Sequence, residues 1–93
     1  MEKRWYVYIL GCGDGTLYTG ITTDVQRRLE AHRCGRGAKY TRGRGPLTLL
    51  YQEEAGAHSQ ALRRERQIKS LPREEKLRLV QSQHCQFPGK NLE

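Results

Sequence analysis

Three polar residues fall where two helices call for apolar ones, and they limit what this chain can become. From Val25 the spacing i, i+3, i+4, i+7 gives an inward stripe of Val25, Arg28, Leu29 and His32. Arg27, Glu30 and Ala31 then point away. Farther on, His58 to Leu71 reads as a second helix, capped near Ser59, with an inward stripe of Ala61, Leu62, Glu65 and Ile68. A buried arginine or carboxylate is costly unless it is paired or holds a metal. A chain of 93 residues has room for one core, and accepting that cost at several positions implies a site.

The strands add two tyrosines to this set. Trp5 to Leu10 is rich in β-branched and aromatic residues, and Gly11-Cys12-Gly13-Asp14-Gly15-Thr16 is a glycine-dense turn. Leu17 to Thr22 completes a hairpin. A strict two-residue turn at Asp14-Gly15 would put Tyr8 and Tyr18 on opposite faces. For both to reach one site, the connection must be odd in length or carry a bulge.

Thr23-Asp24-Val25-Gln26 reads as the start of the first helix, with Thr23 as cap and Gln26 returning its amide. Gly35 ends that helix. Residues 35 to 46 form a loop, with room for a helical turn, that carries Arg36, Lys39, Arg42 and Arg44 around Tyr40. Leu47 to Gln52 is apolar almost throughout and reads as a central or well-covered strand. Pro72 suits the first turn of a last helix, with Glu74 and Glu75 near its positive end. Leu77 and Val80 pack that helix back. The expectation is one domain over residues 1–82 and a polar tail over 83–93.

Charge narrows the partner. Seventeen Lys and Arg against ten Asp and Glu leave +7, with a sequence pI near 9.7. In a small domain this favours a polyanion, nucleic acid first, over a basic surface that binds nothing. No apolar run approaches the roughly 18 residues of a membrane span. Met1-Glu2-Lys3-Arg4 leads into a strand with no signal-peptide core, so a cytoplasmic location and no membrane partner are expected. Cys12, Cys34 and Cys85 are odd in number and widely spaced, which reads as free thiols. His32 with Cys34, and His84 with Cys85, lack the paired spacing of structural zinc. No zinc is expected.

A carboxylate, an arginine, a histidine and two tyrosines in a basic domain make a kit for metal-assisted phosphodiester cleavage. A glutamate holds Mg²⁺ through oxygen while waters and phosphate complete the shell. Metal and arginine neutralise charge on the phosphate, and a tyrosine or histidine orients or deprotonates water. Tyrosine, with an ordinary pKa of about 10, needs help to act as a base. Each residue also has a plain reading. Tyr8 and Tyr18 are good strand formers, Arg28 and Glu65 an ion pair, and His32 a satisfied helix histidine.

The joint pattern resembles the GIY-YIG nuclease family. Tyr6-Val7-Tyr8 stands where that family has its first motif, and Tyr18-Thr19-Gly20 where it has the second. The following helix carries the family's arginine as Arg28 and its histidine, a tyrosine in some branches, as His32. Leu62-Arg63-Arg64-Glu65-Arg66-Gln67-Ile68-Lys69 looks like the helix bearing the metal-binding glutamate, which maps to Glu65. Gly37-Ala38-Lys39-Tyr40-Thr41-Arg42-Gly43 is similar to small stand-alone bacterial members related to the nuclease domain of the Slx structure-specific endonucleases. Departures are Tyr6 for the motif's glycine, Thr19 at the centre of the second motif, and Ile21 where some repair members carry lysine.

The resemblance implies an α+β fold, a three-stranded antiparallel sheet flanked by helices, and divalent-metal-dependent DNA cleavage with tyrosine activating water. The expected catalytic set is Tyr8, Tyr18, Arg28, His32 and Glu65, with Glu65 on Mg²⁺ or Mn²⁺. Arg36, Lys39, Tyr40, Arg42 and Arg44 are expected to meet nucleic acid, as a track leading toward Glu65. The expected substrate is single-stranded or branched DNA in repair or recombination, with RNA also open. Long sequence readout is not expected from so small a chain, so a protein partner would supply specificity. The alternative is a non-catalytic nucleic-acid-binding module or adaptor that retains the fold.

Overall fold

The computed structural model describes residues 3–85, with the side chains of His84 and Cys85 outside that description. Strands β1 (Trp5–Gly11), β2 (Leu17–Thr22) and β3 (Thr48–Gly56) form one antiparallel sheet in the order β2-β1-β3. Helices α1 (Val25–Arg33), α2 (His58–Lys69) and α3 (Arg73–Cys85) surround it, and one 3₁₀ turn spans Lys39–Thr41. The α+β architecture implied by the sequence is the one found.

Period-two alternation divides the core in two. One face packs Val7 and Ile9 against Tyr51, Ala61, Ile68 and Val80, beneath α2 and α3. The opposite face packs Tyr8 and Leu10 against Leu29 of α1, with Tyr18 and Leu49 alongside. Because both faces are covered, Val7, Tyr8, Ile9 and Leu10 are all buried. The central strand is therefore β1.

β3 is the well-covered rather than the central strand of the two expected alternatives, and it differs from expectation in length. It is an outer strand, and its apolar residues are covered from above and below rather than by a second neighbour. On its open side the Gln83 side chain of α3 takes the place of a strand. The Gln52 amide donates to Gln83 Oε1 at 3.2 Å, and Gln83 Nε2 donates back to the Gln52 carbonyl. Leu47 is buried just ahead of the strand. β3 runs on to Gly56 because Arg64 takes up Glu53 through two bonds, at 2.8 and 3.1 Å, while Arg4 pairs with Glu54.

The helix boundaries hold smaller corrections. Asp24, not Thr23, caps α1, its Oδ1 accepting from the Arg27 amide at 3.1 Å. The cap sits one residue later because the Thr22 hydroxyl accepts from the Asp24 amide and turns the chain there. α1 ends in a Schellman motif, with Gly35 at φ +80° and the Arg36 amide donating to the Ala31 carbonyl. Ala57 rather than Ser59 caps α2, and the Gln60 side chain accepts from its amide at 2.8 Å. Val80 packs inward as expected, while Leu77 is 38 % exposed, because Leu79 joins the core in its stead. α3 passes the expected boundary at residue 82 and carries its backbone to Cys85. The remainder of the expected tail lies outside the described residues.

Candidate active site

The hairpin register brings the tyrosines together. Tyr8 pairs across β1 and β2 with Gly20, and Leu10 with Tyr18, so Tyr8, Leu10, Tyr18 and Gly20 share one face. Gly11 opposite Leu17 leaves Cys12 to Thr16 as the connection, which is odd in length as a shared face requires. Gly20 gives the Tyr8 ring its room. A Cβ built there would lie 2.6 Å from the Tyr8 hydroxyl oxygen.

α1 packs on this same face and supplies His32 one turn beyond Arg28. His32 is 2 % exposed, and its Nε2 lies 2.9 Å from the Tyr8 hydroxyl. The Tyr18 ring meets His32 edge-on, centroid to centroid 5.2 Å. Arg28 is half-buried beside the Tyr8 hydroxyl, whereas Arg27 is exposed. The inward and outward assignments along α1 thus agree with the helical spacing.

Glu65 arrives from α2, which lies against β2. Its side chain is 17 % exposed, and its charge is felt at the Tyr8 hydroxyl. The ion pair it forms is with Lys69 one turn later, at 3.2 Å, and not with Arg28. Tyr18, Arg28 and His32 therefore gather around one hydroxyl group, that of Tyr8, and Glu65 acts on it through its charge from α2.

Electrostatics set the resting state of this cluster. Burial pushes the Tyr8 hydroxyl up to about 12, with the neighbouring Tyr18 and Glu65 in the same direction, while Arg28 pulls the other way. Burial, and then the nearby Arg28 charge, hold His32 below its ordinary value. At neutral pH the pair is an un-ionised phenol hydrogen-bonded to a neutral imidazole.

Among the described residues no three His, Cys, Asp or Glu gather into a metal cage. Among the described residues Glu65 is the carboxylate whose charge reaches the Tyr8 hydroxyl, and it is a hard oxygen donor. That donor set fits Mg²⁺ or Mn²⁺ held by a single carboxylate, with water and a phosphate completing the shell.

The expected basic loop is in part a structural device. Arg44 pairs with Asp14 at the hairpin tip, and its guanidinium carbon lies 4.4 Å from the centroid of the Tyr40 ring. Tyr40, 41 % exposed, is stacked on Tyr18 with centroids 5.8 Å apart. Arg36, Lys39 and Arg42 are exposed. A shallow cleft beside the cluster is lined by Leu17, Tyr18, Thr19, Tyr40, Lys69 and Lys76. The two lysines were not among the residues expected from sequence. Lys69, one turn beyond Glu65, is signalled by its i,i+4 spacing; Lys76 carries no local signal.

A tyrosine hydroxyl, a buried imidazole and a guanidinium thus lie together, with Tyr18 between them and a cleft that carries two lysines. Residues 4–78 match the GIY-YIG catalytic domain, and the chain belongs to that nuclease family. It is 54 % identical over 80 residues to a UPF0213 protein of Streptococcus sanguinis, covering 86 % of this chain and 92 % of that one. A solution structure of an Enterococcus faecalis protein, EF2693, superposes with a TM-score of 0.62 at 37 % identity, over 90 % of each chain. That of a UPF0213 protein from Bacillus halodurans gives 0.54 at 50 % identity, over 84 % of this chain and 83 % of that one.

Proposed function

We propose that this chain is a divalent-metal-dependent endonuclease that hydrolyses phosphodiester bonds in single-stranded or branched DNA. One observation carries the reading: the hydrogen bond between the buried Tyr8 hydroxyl and His32 Nε2, beside Arg28 and Glu65. Tyr8 faces the attacking water. As the water oxygen bonds to phosphorus, its proton passes to the Tyr8 oxygen and the tyrosine's own proton passes to His32 Nε2. The leaving oxygen departs and takes a proton from solvent.

Coupling the two transfers avoids a free tyrosinate, which a hydroxyl pushed up to about 12 would resist. Arg28 neutralises charge growing on the phosphate oxygens. Tyr18, edge-on to His32, walls the water on the other side. Glu65 holds the cation, which when bound supplies Lewis-acid stabilisation of the phosphate. The cleft lysines Lys69 and Lys76 favour a flexible single strand, whose phosphates follow positive charge past the exposed edge of Tyr40.

The test is incubation of the protein with single-stranded, duplex, flapped and junction DNA, with Mg²⁺, Mn²⁺ or EDTA. Metal-dependent cutting, strongest where single strands are present, is expected. Binding without cutting under every condition would make the chain a non-catalytic module.

A further inference from the structure

We infer that Thr41 is a positioning residue that fixes which ring nitrogen of His32 carries the proton, and so makes Nε2 the acceptor facing Tyr8. The consequence for cleavage rests on the function proposed above, whereas the protonation assignment does not.

Two lines of proton accounting lead to it. The first starts at Thr41, which is 2 % exposed and sits at the end of the 3₁₀ turn. Its hydroxyl oxygen lies 3.0 Å from the Ala38 carbonyl and 2.8 Å from His32 Nδ1. A hydroxyl has one proton, and a carbonyl oxygen only accepts. With that proton on Ala38, Thr41 Oγ1 receives its bond from an Nδ1–H. The second line starts at Tyr8. Its hydroxyl proton needs an acceptor; the neighbouring Arg28 has none to offer, and among the described residues this hydroxyl's hydrogen bond runs to His32 and not to Glu65. His32 Nε2, at 2.9 Å, is the acceptor if it is unprotonated.

Both lines select the ring with its proton on Nδ1. The opposing contact is the Ala38 amide, which approaches Nδ1 at 3.4 Å. It is the longest of the set, and serving it would cost the Tyr8 and Thr41 bonds their direction. The surrounding loop lies close against the ring, since a Cβ on Gly37 would collide with His32 Nδ1. The 3₁₀ turn thus orients a base, as a backing acceptor commonly does for histidine.

Ring nitrogens report the assignment directly. In ¹⁵N-labelled protein above neutral pH, a long-range ¹H–¹⁵N spectrum should show His32 with a protonated Nδ1 and a bare Nε2. The opposite pattern in the unmodified protein would overturn the inference without any variant. Thr41→Val keeps the shape but loses the hydroxyl, and should move the ring toward Nε2–H, while Thr41→Ser should restore Nδ1–H. An unchanged ring in Thr41→Val would also overturn the inference. In the cleavage assay Thr41→Val should lose about 10²-fold in rate with DNA affinity unchanged, and Thr41→Ser should recover it. A shifted ring with full cleavage would overturn the role in catalysis. Absence of cleavage in the unmodified protein would instead remove the proposed function and leave the spectrum standing.

Discussion

The hydroxyl of Tyr8 fills the space that a side chain on Gly20 would occupy, with 2.6 Å between that oxygen and a Cβ built on Gly20. Gly20→Ala should therefore push the phenol off its line to His32. Cleavage should fall about 10²-fold, the usual cost of a displacement near 1 Å at a reacting group. Crowding should also lower stability by about 1–3 kcal/mol. Kinetics and melting on one preparation check both, and a variant as active as the parent would detach Tyr8 from the chemistry.

Glu65→Gln separates metal binding from folding. Because Glu65 pairs with Lys69 across a partly exposed turn, removing that pair should cost under about 1 kcal/mol. Cleavage should fall by several orders of magnitude, as the charge that holds the cation has gone. DNA binding without metal should hold or tighten. Full cleavage by the folded variant would end the assignment of Glu65 to the metal.

Acid should weaken the fold through His32. Its pKa is depressed in the folded chain, chiefly by burial, so the unfolded chain binds more protons below the ordinary value of about 6.5. Stability should be flat above that pH and fall as pH drops toward the folded value. His32→Gln should flatten this part of the profile in pH-dependent melting. An equally steep profile in the variant would place the acid sensitivity elsewhere.

DNA should follow the cleft between Tyr40 and α3 more than the tip of the basic loop. Replacing Lys69 and Lys76 by alanine should flatten the log–log salt plot for a single strand, by about 0.7 for each phosphate that a lysine had neutralised. Arg36→Ala with Arg42→Ala is the comparison. A larger change from that second pair would return the main binding track to the loop.

The sequence exposed the parts of this molecule that repeat at a fixed period. Arg28 and His32 lie one helical turn apart, and helical spacing alone separated them from Arg27. The demand for an odd hairpin connection followed from alternation, and Cys12 to Thr16 meets it. Features decided between distant segments were hidden. Nothing near Glu53 and Glu54 signals a strand, because the groups that offset their charge are Arg64 and Arg4. The stack of Tyr40 on Tyr18 and the link from Arg44 to Asp14 likewise join residues far apart in the chain. His32 showed its position but not its bonding, since Thr41 meets it only once the loop has closed.

The amide of Gln83 gives the sheet a terminus. Strands of any copy could add to the outer side of β3 through the N–H and C=O of Gln52, and such open ladders are templates for growth into fibres. Gln83 occupies both groups with one side chain. α3 thereby acts as a chain stopper, and shortening it before residue 83 would leave a sticky edge on the side of the sheet away from β2.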